Sequence, residues 1–261
     1  MSQDLSKPNI SRVYDYVLGG HHNYEIDRLA AQQIIASFPS YPQWARLNRW
    51  FLQLIAERWS SEGRPSILDL GSGMPTVGHF HDHAPNAKIL YSDNDGITVS
   101  YARQVLGENP NVEYVEVDVR HPSDLLAAAD RFFGGDRRVA IGCMGLSYFL
   151  DDQALAALMQ LLHGWAAPGS VMALTYVYGN KAKYTERSRA TMDAFKRAGS
   201  PIISRDEAEV CQLCLPWRMQ ESQPLERWLG VEDQIGEAER EEADAAMYGL
   251  LFEHGTTTAA G

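Results

Sequence analysis

Three short apolar segments, each running into an acid, constrain this chain more than any other feature. Ile67 to Gly73 (ILDLGSG) reads as a buried strand that carries Asp69 and ends in a glycine turn. Lys88 to Asp93 (KILYSD) and Val112 to Asp118 (VEYVEVD) read as two further strands, each ending in an acid. Helical pattern separates them, and that alternation predicts a parallel sheet with helices on both faces. Three carboxylates then stand in register along one sheet edge. Such an edge suits a nucleoside, whose hydroxyls and exocyclic amine need acceptors, while glycines let the backbone approach closely.

The flanking sequence extends this pattern. Before the first strand, helices are expected from Ser11 to Leu18, Glu25 to Ser37 and Pro42 to Trp59, with Gly19-Gly20 and Phe38-Pro39 as breaks. After it, Met74 to Ala84 is expected to hold the first crossover helix. Helices at Ile97 to Leu106, Pro122 to Phe133 and Asp151 to Leu162 then alternate with strands Arg138 to Cys143 and Val171 to Tyr176. The C-terminal part is less regular. A helix from Thr185 to Ala198, a helix start at Ser204 to Glu207, and strands at Pro216 to Gln220 and Met247 to Phe252 are expected. The acidic stretch Glu232 to Asp244 reads as a solvated loop or exposed helix, and Thr256 to Gly261 as a loose end.

Charge and cysteine content narrow the function. A net charge of −11 disfavours nucleic-acid binding, which needs clustered Lys and Arg. Cys143, Cys211 and Cys214 form no disulfide framework, and Cys211-x-x-Cys214 lacks a second Cys/His pair at ligand spacing, so buried thiols are expected. His79, His81 and His83 alternate at spacing two. On a helix that spacing spreads the rings around the axis, so no metal is expected. Met1 to Pro8 has no apolar signal core and no segment suits a membrane span; a reducing cytoplasm is the expected compartment.

Asp69-x-Gly71-x-Gly73 is shorter than the dinucleotide fingerprint, and Thr76 stands where a third glycine would be expected. S-Adenosylmethionine has no phosphate and needs no such device. Its amino-acid end passes under a turn built by Gly71, Ser72 and Gly73, where Asp69 can orient the ammonium. Asp93 suits the ribose hydroxyls and Asp118 the adenine amine, with the Val119 N–H for a ring nitrogen. Asn94 can contact adenine or ribose, or cap the following helix.

These residues resemble the class I S-adenosylmethionine-dependent methyltransferases. More specifically the chain is similar to an actinobacterial-type family, once a domain of unknown function, labelled "S-adenosyl methyltransferase". The resemblance rests on Ser11 to Tyr24 (SRVYDYVLGGHHNY), Leu68 to Thr76, Tyr91 to Asp95 and Asp118 to Arg120, and covers residues 8 to about 180. His21-His22-Asn23 departs from the Lys-Asp-Asn-like triplet usual in the family. The resemblance implies a doubly wound, Rossmann-like α/β fold with a seven-stranded, mostly parallel sheet. Residues 1–62 would be an N-terminal helical cap and residues 63–261 the cofactor-binding domain.

It also implies roles for further residues. The cap can bring Tyr14 or Tyr16 to the methionine carboxylate or the methyl-transfer pocket; two half-buried tyrosines on an amphipathic helix are the alternative. His21 and His22 are candidate general bases, because histidine titrates near neutral pH, or plain turn residues. Asn23 and Tyr24 are placed at the acceptor. Met144 and Gly145 would bring backbone to the cofactor, and Ser147, Tyr148 and Tyr176 would face the acceptor. Tyr178 and Tyr184 can help to close the pocket, while Phe149 and Leu150 are expected in the core.

The expected reaction is in-line methyl transfer from S-adenosylmethionine to a small-molecule acceptor, without nucleic-acid or membrane partners and with a homodimer left open. Other sulfonium chemistry, such as cyclisation with loss of methylthioadenosine, and non-catalytic cofactor binding are the rivals.

Overall fold

The computed structural model describes residues 6–75, 78–179, 184–234 and 245–255. Thr76, the expected loose end at 256–261 and most of the acidic stretch 232–244 lie outside the described residues. Seven strands form one sheet: β1 (Ser66–Leu70), β2 (Lys88–Asp93), β3 (Val112–Glu116), β4 (Ala140–Cys143), β5 (Val171–Gly179), β6 (Arg218–Pro224) and β7 (Ala245–Glu253). Their order is β3-β2-β1-β4-β5-β7-β6. β1 to β5 run parallel, and β7 lies antiparallel between β5 and β6. The chain winds outward from β1 in one direction and from β4 in the other. The crevice beyond the ends of β1 and β4 is therefore the switch point where such sheets bind ligands.

The sheet is covered on both faces. One face packs α6 (Ser123–Phe133), α7 (Asp152–Trp165) and α9 (Glu207–Leu213) around Leu68, Leu90, Ile141 and Leu174. The other packs α3 (Tyr41–Ser61), α5 (Gly96–Leu106) and α10 (Leu225–Leu229) around Ile67, Ile89, Tyr91 and Ala140. Period-two alternation along β1 explains the split: Ile67 and Asp69 share one face, Leu68 and Leu70 the other. In α3, Leu47, Phe51 and Ile55 are almost or fully buried, and each such side chain contributes roughly 1.5–3 kcal/mol.

The cap comprises α1 (Ile10–Val17), α2 (Glu25–Ser37) and α3. α1 and α2 share a smaller cluster with α8 (Glu186–Arg197), built on Val13, Ala31, Ile34 and Phe195. Asn9 caps α1 by accepting from the N–H groups of Ser11 and Arg12. A buried ion pair, Arg12 Nε to Asp27 Oδ2 at 2.8 Å, ties α1 to α2, and Arg12 also reaches Asp95 beyond β2 at 3.5 Å.

Two expectations about elements are corrected. The first crossover holds only the short helix α4 (Phe80–His83) among its described residues, because Pro75 and Gly78 interrupt any earlier helical turn. The helix expected to end at Leu162 continues to Trp165 as α7.

Candidate active site

The three acids are staggered rather than level. Asp69 pairs with Tyr91, so Asp93 lies two residues further along the neighbouring strand; Asp93 pairs with Glu116, so Asp118 lies two further again. Steps of two keep all three acids on one face while moving each outward. The result is a slanted row that follows an elongated ligand.

The backbone around this row is built for close approach. Gly71 and Gly73 have φ of 61° and 68°, in the left-handed region that favours glycine. A Cβ on Gly71 would stand 2.9 Å from Leu146 Cδ1. The turn is held by Ser72 N donating to Ser92 O at 2.8 Å, Tyr114 Oη donating to Gly73 O at 2.6 Å, and Gly73 N donating to Asp93 Oδ2 at 3.0 Å. In β4, Gly142 makes room for the acid opposite it, since a Cβ there would lie 2.6 Å from Asp69 Oδ1. Gly142 is not among the sequence-predicted site residues, although a glycine inside a strand is itself a signal of close approach.

Burial changes the acids' chemistry. Asp69, 2 % exposed, has its pKa pushed up to about 7 by burial, against smaller lowering effects of the Ser72 hydrogen bond and the Arg49 charge. Asp93 is raised to about 6, again by burial, although the Asp95 and Gly73 N–H groups favour its ionised form. Asp118 behaves oppositely. Arg120 grips both its oxygens, at 2.9 Å and 2.5 Å, and holds its carboxyl below the usual range.

A cavity of about 540 Å³ runs from this row into an apolar arm under the cap. Asp69, Gly71, Ser72, Gly73, Asp93, Asn94, Asp118, Val119, Met144 and Gly145 all line it. The arm is walled by Phe38, Tyr41, Trp44, Tyr148, Phe195 and Ile202, among others. Leu150 sits in the core as expected and Phe149 packs against the core, while both also line the cavity, as does Tyr184. Arg205, 1 % exposed, donates to the Ser147 and Leu150 carbonyls at 3.0 and 2.6 Å and so clasps the loop that carries Tyr148.

A chain of hydrogen bonds joins the cap to the sheet at the junction of row and arm. Gly145 N and Asn48 Oδ1 each lie 2.8 Å from Thr175 Oγ1, which accepts from the first and donates to the second. Asn48 Nδ2 donates to Tyr14 Oη at 3.2 Å, and Tyr14 Oη donates to Ala45 O at 2.8 Å. Tyr14 thus lines the cavity with its proton committed to a backbone carbonyl.

Several residues expected at the site are placed elsewhere. His21 and His22 are exposed and line no part of this cavity. Their segment is a turn built around Asp15, whose Oδ2 accepts from His22 N at 2.8 Å and Asn23 Nδ2 at 2.9 Å. Gly20 is required there, since a Cβ would sit 2.1 Å from Asp15 Oδ1. Tyr24 is 44 % exposed and lies beside Arg12 at 5.4 Å, while Tyr16 packs in the α1–α2–α8 cluster. Ser147 is buried and donates to Thr175 O at 2.7 Å. Tyr176 points to the opposite face, packed with Leu174 and Tyr248. Alternation along β5 brings Thr175, Val177 and Gly179 to the cavity side instead. Tyr178 is 38 % exposed and its ring lies tilted against Tyr248, centroids 5.4 Å apart.

Arg49 was not anticipated. It lines the cavity from α3, is 8 % exposed, and its Nε and Nη1 have no hydrogen-bond partner. Its guanidinium lies 5.6 Å from the Tyr14 ring centroid.

The three cysteines are free. Among the described residues no group of three or more His, Cys, Asp or Glu gathers as metal ligands, and no helix is long and apolar enough to cross a membrane. The donor set fits an adenosyl amino acid: two buried carboxyls, a third at the rim, and a positive-φ glycine turn in which a side chain at Gly71 would crowd Leu146.

Comparison with known proteins agrees with this fold. The model of a family described as S-adenosyl methyltransferase matches residues 1–248. Two solved structures are similar over nearly the whole chain: a candidate methyltransferase of Thermobifida fusca (24% identity, TM-score 0.85, 97% of each chain) and a DUF574 family protein of Streptomyces avermitilis (24% identity, TM-score 0.81, 97% of this chain and 99% of that one). Magnesium protoporphyrin IX methyltransferase of Synechocystis, solved with bound S-adenosylhomocysteine, shares the fold more distantly (9% identity, TM-score 0.53, 93% of each chain). No curated protein matches the sequence significantly.

Proposed function

The chain belongs to the S-adenosyl methyltransferase family, and from that premise we propose that it methylates a small acceptor with an apolar, ring-sized body held in the arm under the cap. The cofactor is S-adenosylmethionine, which when bound supplies a methyl group on an electrophilic sulfonium. The observation that carries the acceptor class is the cavity itself. One continuous space of about 540 Å³ joins the acid row to an aromatic arm, a size suited to a cofactor plus a small second ligand.

In this reading Asp93 accepts from the ribose hydroxyls, with Ser11 Oγ, 3.4 Å from Asp93 Oδ2, steadying it from the cap. Asp118, Val119 and Asn94 hold the adenine end, and Asp69 holds the ammonium. Met144 and Gly145 flank the junction, where Asn48 and Thr175 fix the backbone. We further infer that residues 1–62 act as the cap and residues 63–261 as the cofactor-binding unit. α3 serves both, since it packs on the sheet while walling the cavity.

The arm also limits the acceptor's chemistry. Among the described residues lining the cavity, none is His, Lys, Glu or Cys. Burial holds the Tyr41 and Tyr148 hydroxyls well above their ordinary pKa, so they stay protonated. The arm therefore supplies desolvation and orientation rather than a base. A nucleophile that attacks without losing a proton first suits it: a ring nitrogen, a neutral amine or a thioether.

The test is S-adenosylhomocysteine formation across a panel of such acceptors, matched phenols and alcohols, and bulk protein and RNA, with Asp93→Ala as control. Turnover confined to apolar nitrogen or sulfur acceptors, and lost in Asp93→Ala, is the expected result. Methylation of protein or RNA with no small-molecule turnover would overturn the proposal.

A further inference from the structure

Arg49 stands in the cofactor cavity as a buried cation without hydrogen-bond partners on Nε and Nη1. A buried donor that nothing satisfies is costly, and a charged one more so. The carboxylates nearby do not relieve it. Asp93 is engaged by Gly73 N, Asp95 N and Ser11 Oγ, and Asp118 by Arg120. Asp69 lies close enough to feel Arg49's charge, yet no hydrogen bond joins them. The Tyr14 ring fixes the guanidinium from one side. The side chain is thus desolvated on the cavity wall beside Tyr14, and among the described residues its Nε and Nη1 have no hydrogen-bond partner.

Its location identifies what would complete it. α3 lies on the sheet face to which the staggered acids point, and Arg49 shares the cavity wall with Asp69, Gly71 and Ser72. An α-amino acid bound under that turn brings an ammonium and a carboxylate together. Asp69 can take only the first. We propose that Arg49 is the carboxylate-binding residue of the site, holding the α-carboxylate of the cofactor's methionyl end opposite Asp69.

The inference deepens the proposed function and rests on its placement of the cofactor. It makes the cap a cofactor-binding element: α3 contributes the cation, so an adenosyl ligand without a carboxylate leaves the site incomplete. Arginine suits the task because it stays charged when buried and presents fixed, planar donors to a carboxylate.

The experiment is calorimetric titration of wild type, Arg49→Met and Arg49→Lys with S-adenosylhomocysteine and with its decarboxylated analogue, which keeps the ammonium. Thermal melts of each ligand-free protein accompany it. Arg49→Met is expected to weaken S-adenosylhomocysteine by about 30-fold or more and to change the analogue by no more than about threefold. Arg49→Lys should restore part of the loss. The ligand-free melting temperature of Arg49→Met should equal or exceed the wild type's, because an unsatisfied buried cation has been removed. Equal weakening of both ligands, or no weakening of either, would overturn the assignment. If the wild type binds neither ligand, the cofactor placement fails, and this inference with it.

Discussion

Asp69→Asn separates what the buried acid does for the ligand from what it does to the fold. Burial raises the Asp69 pKa from 3.8 to about 7. The folded protein therefore binds this proton more tightly than the unfolded chain does, and stability from this group is full below pH 3.8. It is lost as pH rises towards 7. At about 1.36 kcal/mol per unit, the ionised carboxyl costs up to about 4 kcal/mol at pH 8. Asparagine keeps the shape and the Ser72 contact without the charge. Allowing for the amide's own desolvation, a net gain of about 2–4 kcal/mol is expected, or about 5–10 °C for a chain of this size. The assay is the melting temperature of both ligand-free proteins from pH 5 to 8.5. His79 has its pKa lowered by burial and contributes stability that is lost as pH falls, but it is common to both proteins and cancels in the difference. The gap between variant and wild type should widen up to about pH 7 and then level off, while S-adenosylhomocysteine binding is lost. A variant less stable than wild type at pH 8, or a gap independent of pH, would refute the reasoning.

Other outcomes follow from the same geometry. Gly71→Ala places a Cβ 2.9 Å from Leu146 at a φ of 61°; it should destabilise by about 1–2 kcal/mol and weaken S-adenosylhomocysteine, checked by melting and calorimetry. Arg12→Met leaves the fully buried Asp27 without its ion-pair partner. A loss of about 3–5 kcal/mol is expected, with limited proteolysis cutting first among α1 and α2. The double variant His21→Ala/His22→Ala, altering exposed turn residues away from the cavity, should leave S-adenosylhomocysteine affinity within about twofold of wild type, since surface changes of this kind have small effects.

Sequence alone determined the features whose physics is local. A strand, a glycine turn and a helix each announce themselves within a dozen residues, so the α/β alternation, the Asp69-x-Gly71-x-Gly73 turn and the acids at 93 and 118 could be read directly. The residues that share a cavity with them were decided by packing between layers. Strand register staggered the acids by two residues at each step. Strand phase turned Tyr176 to the far face and brought Thr175 to the cap. A packing requirement around Asp15 made the His21-His22-Asn23 run a turn, although its residue types suggest catalysis. Arg49 lies on a helix whose pattern reads as ordinary amphipathic surface. Only the seating of α3 on the sheet buries its guanidinium beside Asp69, because desolvation is a property of what the whole fold places around a group.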